Sequence, residues 1–182
     1  MSKSVGSRFA HNRRMTDCDI LRSIARQYRA SLAMLSEAVE LCPEALWLSE
    51  DHTNRFWHIA WHAAFYTHLY LQASESEFHP WPKHRRDSQY LGARPGSPQG
   101  SARIMEPYTK NEVREYLEFC RAEVEARVPA LDLAASSGFD WLPFNKLEVQ
   151  FYNIRHIQHH AGQLADRLRN RARVGVAWVR PN

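Results

Sequence analysis

Four stretches of the chain repeat apolar residues at steps of three and four, and none alternates every second residue for long enough to argue for a sheet. The first stretch runs from about Thr16 or Asp17 to Leu41, with Ile20, Leu21, Ile24, Tyr28, Leu32, Leu35 and Val39 along one stripe. Thr16 or Asp17 can cap its start. Cys42-Pro43 ends it, because the residue before a proline is pushed out of the helical region. The second runs from about Thr53 to Gln72 and is apolar nearly all round, through Phe56, Trp57, Ile59, Trp61, Phe65, Tyr66, Leu69, Tyr70 and Leu71. A helix without a polar face belongs at the centre of a fold. The third begins near Thr109, where Thr109-Lys-Asn-Glu112 has the form of a capping box, and continues to about Leu133. The fourth runs from near Asn145 to about Arg171. The pattern predicts an all-α chain.

Between the second and third helices lie residues 73–108, which include Pro80, Pro82, Pro95, Pro98, Pro107, Gly92, Gly96 and Gly100. Structureless connections beyond about 15 residues are uncommon in compact domains. A helix of about 20 residues is roughly 30 Å long, and about ten extended residues can run back along it. The connection can therefore act as a crossover that lets the second and third helices lie parallel in a four-helix bundle. The remaining residues could form a lid or a dimer contact. No repeat or boundary breaks the pattern, so the expectation is a single domain over residues 1–182, with a crossover at about 73–108 and a basic tail at about 171–182.

Composition changes this picture little. With 44% hydrophobic and 24% charged residues the chain is globular in character. No apolar run approaches the roughly 18 residues of a membrane helix, so no membrane partner is expected. The opening MSKSVGSRFAHNRR is basic and leads into no apolar region, which argues against a secretory signal. Cys18, Cys42 and Cys120 are scattered, as in a reduced, cytoplasmic protein. The net charge of +4 concentrates in KHRR at 83–86 and in Arg167, Arg169, Arg171, Arg173 and Arg180. No base-reading motif surrounds these residues, and arginines in a last turn complement the helix dipole, so nucleic acid is not an expected partner.

The ten histidines are unevenly spread. The second helix holds His58, His62 and His68, and the fourth holds His156, His159 and His160. Four residues turn an α-helix through about 400°, so His156 and His160 lie one above the other, the spacing by which one helix offers two nitrogens to one metal ion. Gln163 lies about −20° and Tyr152 about −40° from His156 on the same wheel. The apolar stripe through Ile157, Ala161, Leu164 and Leu168 is adjacent, so the two histidines border the core. On the second helix His58 lies about 40° from His62 and Tyr66 within about 60°, while His68 falls about 120° away. Either His58 or His62 can supply a third ligand. A lone histidine on an apolar face is usually a core residue with a partner, and that reading suits His68 or His159 taken singly. Phe56, Trp57, Trp61, Phe65, Tyr66 and Trp141 read as core, although Trp141-Leu-Pro-Phe144 could rim a pocket before the fourth helix.

FWHIAWHAAFYTHLYL at 56–71 followed by YNIRHIQHHAGQLADRLR at 152–169 resembles the DinB-like superfamily, also called the YfiT-like metal-dependent hydrolases. That family pairs one histidine on its second helix with a later H-x-x-H-H-x-G-Q, here His156-Ile-Gln-His159-His160-Ala-Gly162-Gln163. The resemblance spans about Asp17 to Arg171. It implies a bundle with the long crossover, a metal held by His62, His156 and His160, and a homodimer. The resemblance favours His62, in the Trp61-His62 step, over His58 in the like step one turn earlier. The cofactor expected is a divalent transition metal, zinc or nickel first, since imidazole suits several such ions. His58, Tyr66, Tyr152, His159 and Gln163 are expected around the ligands or in a pocket beside them.

Three protein ligands leave a metal position open for water or for a thiolate. The family includes thiol-dependent transferases and isomerases, so the expected function is a metal-dependent hydrolase or thiol-dependent transferase acting on a small molecule. The alternative is a non-catalytic dimeric bundle that binds a metal or a small ligand. No glutamate neighbours the histidines as in HExxH. Glu148 lies at about −80° from His156, a poor position for a general base, and Asp140 could approach only from a loop.

Overall fold

The computed structural model describes residues 15–92 and 106–181. These residues form five α-helices: α1 (Asp17–Leu41), α2 (Glu44–Trp47), α3 (Phe56–Tyr70), α4 (Lys110–Arg127) and α5 (Lys146–Arg167). There are no strands among the described residues. The four long helices are those expected, and the single turn of α2 is an addition the periodicity was too short to reveal.

Helix ends follow local chemistry. Thr16 caps α1 in a capping box with Asp19, and Thr109 does the same for α4 with Glu112. Asn145 caps α5 through the Glu148 amide. Four boundaries, in three helices, differ from expectation. Helix α3 starts at Phe56 rather than Thr53 and ends at Tyr70 rather than Gln72. The Asn54 carbonyl is taken by the Arg167 guanidinium at 2.7 Å, so residues before Arg55 bend away from the helix ladder. Helix α4 stops at Arg127 and tightens into a 3-10 turn at Val128–Ala130, because Pro129 brings no N–H to an α-helical ladder. Helix α5 ends at Arg167, and its last turn widens over Leu168–Ala172 until Arg173 adopts a left-handed conformation at φ 60°.

Contacts between helices define the arrangement. Helix α1 packs on α4 and α5, and α3 packs on the same two. Residue pairs along α3 and α5 run in opposite senses, Tyr70 meeting Tyr152 while His62 meets His160, so these helices are antiparallel. Pairs along α1 and α5 rise together, Tyr28 with Gln150 and Met34 with Gln158. Along α3 and α4 they also rise together, from Trp61 with Tyr116 to Gln72 with Glu123. Parallel neighbours require the crossover that the sequence suggests.

The described part of that crossover is not structureless. It makes a 3-10 turn at Glu75–Glu77 and then packs Phe78, Trp81 and Leu91 against the core. Tyr108 stacks on Trp61 with ring centroids 3.4 Å apart and planes 7° off parallel, and its hydroxyl accepts from the Arg85 amide at 2.6 Å. The basic run at 83–86 is absorbed here. Lys83 pairs with Glu115, Arg85 with Glu112 at 2.7 Å, and Arg86 with Asp87 at 3.7 Å. Pro95, Gly96, Pro98 and Gly100 lie outside the described residues.

Lys146, the first residue of α5, is 3% exposed. Its ammonium donates to the carbonyls of Gln72 at 3.1 Å, Ala73 at 2.8 Å and Ser137. It therefore ties the C-terminal end of α3 to the loop before α5. Gly138 stands in the same junction at φ 81°, and a Cβ there would come 2.0 Å from the Ala73 carbonyl. Gly162 faces open space in mid-helix. In urea unfolding, Gly138→Ala is expected to destabilise by about 2 kcal/mol or more, through clash and a disfavoured backbone. Gly162→Ala is expected to stabilise by about 0.5–1 kcal/mol.

Candidate metal centre

The antiparallel contact of α3 with α5 forms a ladder of rings. Tyr70 faces Tyr152 at 5.5 Å, Tyr66 faces His156 at 5.5 Å, and His62 faces His160 at 4.7 Å. Two helices with side chains four residues apart present successive rungs in this way. At the last rung the imidazoles converge. His62 Nε2 lies 3.0 Å from His156 Nε2, which lies 3.1 Å from His160 Nε2. One ligand atom from each of the three residues falls within 4.8 Å of the others, so the group could hold a metal ion.

The second ring nitrogens explain the convergence. His62 Nδ1–H donates to the Gln89 carbonyl at 2.6 Å, and His160 Nδ1–H donates to Gln163 Oε1 at 2.8 Å. A donor at Nδ1 leaves Nε2 of the neutral ring with a free lone pair. Burial pushes His62 down to about 2 and His156 to about 3, with the neighbouring imidazoles acting in the same direction. His160 is lowered by burial, against the pull of Gln163. All three are therefore neutral near pH 7, the form that ligates a metal. Two lone pairs aimed at one point, with His156 Nε2 between them, suit a cation at that point. His156 Nδ1 is buried and has no hydrogen-bond partner among the described residues, so its tautomer is the least fixed of the three.

The other residues expected near the ligands separate into distinct places. His58 is turned to the crossover, its Nε2–H donating to the Ser88 carbonyl at 3.0 Å while its ring stacks on Trp57. It stands outside the three-histidine group. Tyr66 packs its ring 4.7 Å from His62, and Tyr152 lines a small recess with Arg155, His156 and His159. His159 is exposed, not the core residue that its apolar neighbours suggested. Trp141 is likewise exposed, at 48%, and Tyr66 is only half-buried, whereas Phe56, Trp57, Trp61 and Phe65 do join the core. Glu148 and Asp140 are exposed, and no carboxylate belongs to the group.

His68 is a core histidine with a partner, Nδ1 lying 3.1 Å from the Tyr116 hydroxyl. Two residues that sequence reasoning passed over serve the site. Gln89 acts through its backbone carbonyl, which leaves no mark on the sequence. Ser88 precedes it and receives His58, and the left-handed turn at Asp87 (φ 64°) presents both carbonyls to α3.

A family model described as the DinB superfamily matches residues 27–164, more than half of the chain. No curated protein and no solved structure gives a match. No helix among the described residues is long and apolar enough to cross a membrane.

Burial pushes His68 down to about 4, against the pull of Glu123 and with some help from Arg127. Because this lies below the unfolded value of about 6.5, the unfolded chain binds a proton that the folded chain refuses. The stability that His68 contributes is complete above about pH 6.5 and is lost as pH falls toward 4. Urea unfolding across that window should show falling stability with falling pH, and a shallower fall in His68→Gln.

Proposed function

The chain belongs to the DinB superfamily, and from that premise we propose that it is a metal-dependent enzyme whose ion is held by His62, His156 and His160. One observation carries the reading: the Nε2 atoms of these histidines converge to about hydrogen-bond distance while Nδ1 of His62 and of His160 is committed to a carbonyl acceptor. A divalent transition ion bound there would polarise an oxygen or sulfur donor of a small substrate. Zinc or nickel is the first choice from the imidazole donors.

The reaction we propose is hydrolysis or thiol-dependent group transfer. The absence of a carboxylate from the histidine group favours transfer, because a thiol needs less help from a general base than water does. His58 supports an open site rather than a closed four-histidine one, since its nitrogen is committed to Ser88. The residues around the ligands have separable parts. Gln163 orients His160, the crossover backbone orients His62, and Tyr66 walls the space between His62 and His156. Arg155 and His159 stand at the recess where His156 meets solvent.

Elemental analysis of untagged protein should find about one equivalent of transition metal, lost in His156→Ala and retained in His58→Gln. Metal absent from the parent even after incubation with zinc and nickel would overturn the proposal. Gln163→Leu, which removes the acceptor for His160, should weaken metal binding by about 10- to 100-fold in a chelator competition.

A further inference from the structure

Beside the histidine group lies a cavity of about 590 Å³, a size that suits a small organic ligand. Its walls are aromatic: Phe65, Tyr66 and Tyr70 from α3, Phe78 and Tyr90 from the crossover, and Trp141 from the loop before α5. Three separate chain segments therefore turn rings toward one space. Phe65 meets Phe78 edge-on at 5.2 Å and Tyr66 edge-on at 5.4 Å, and Tyr66 continues to Tyr70 at 5.6 Å. Phe139 packs between two of these rings, 5.3 Å from Tyr70 and 5.5 Å from Trp141.

The charges are one-sided. Neither lysine nor arginine lines the cavity, although the chain as a whole is basic. Glu75 lines it and has no ion pair among the described residues. The Glu75 amide is tied to the Gly138 carbonyl at 3.0 Å, which fixes the backbone that carries the carboxylate. His84, the remaining basic side chain in the wall, is lowered by burial and adds no positive charge near pH 7.

Aromatic faces carry negative potential and attract cations, and rings around a substituted ammonium group are a recurring way of holding it. We propose that this cavity binds an organic cation, a quaternary or alkylated ammonium group on the substrate, with Glu75 as the countercharge at its mouth. The inference names the substrate class of the site proposed above and depends on that reading for its role in a reaction, but the binding itself needs no metal. Tyr66 is the shared wall: it lines the cavity and packs 4.7 Å from the His62 ring, so a group projecting past it from a caged cation arrives at the histidines. An anionic or purely aliphatic substrate would use neither the carboxylate nor the ring faces.

The test uses the full chain freed of metal by chelation, so that it stands apart from the metal analysis. Choline and dimethylbutanol, its uncharged carbon isostere, are titrated separately and followed by ligand-observed NMR. Choline is expected to bind about tenfold more tightly than the alcohol. Glu75→Gln and Trp141→Leu should each weaken choline several-fold, with thermal melts confirming that both variants fold. Glu77→Gln, which alters a neighbouring carboxylate outside the cavity wall, should leave the affinity unchanged. Equal binding of both probes, no choline binding at tens of millimolar, or choline binding indifferent to Glu75 and Trp141 would each overturn the inference. Choline binding retained in a chain that takes up no metal would leave the cation site standing while removing the metalloenzyme reading. Metal binding without choline selectivity would do the reverse.

Discussion

Three imidazole nitrogens within about 3 Å of their neighbours are costly to assemble, because each lone pair repels the next and each ring has left water. The facing of α3 against α5 is what sustains that crowding. Neither helix could do it alone, since α3 brings one of the three rings and α5 two. Their antiparallel contact must also be in register to within a fraction of a turn. The register is set by large rings at every rung, from Tyr70 on Tyr152 to His62 on His160, which leave no space for a shifted pairing. The rest of the bundle backs this one contact, with α1 and α4 closing the opposite sides.

The crossover belongs to the same construction. Tyr108 lies flat on Trp61, the residue beside His62, and its hydroxyl receives the Arg85 amide. From there a left-handed Asp87 turns the chain so that the carbonyls of Ser88 and Gln89 meet His58 and His62, one helical turn apart. The two histidines that looked interchangeable on the helix wheel thereby acquire different work. His58 holds the crossover to α3. His62 is held by the crossover and points its other nitrogen at α5.

Much of this was legible in the residues. A cap at Thr16 or Asp17, the capping box at Thr109 and the spacing of His156 and His160 mark elements whose cause is local, and the structure returns them, with Thr16 as the first cap. The length of residues 73–108 signalled a crossover because geometry leaves parallel helices no shorter connection. What stayed hidden depends on partners distant in sequence. The carbonyl of Gln89 is chosen by backbone conformation. The exposure of Trp141 and His159 follows from which faces the neighbouring elements leave uncovered, which no periodicity reports. The late start of α3 reflects the Arg167 contact with Asn54, across 113 positions.

Lys146 also fixes a distance along α5. Its ammonium is gripped by carbonyls at the end of α3, while ten positions further along the same helix His156 must meet His62. The segment between them is a fixed ruler. Residues on its surface can be exchanged freely, but gaining or losing one would rotate the imidazoles by about 100° away from their partner. In divergent copies of this chain, drift in this stretch should appear as altered letters and never as altered length.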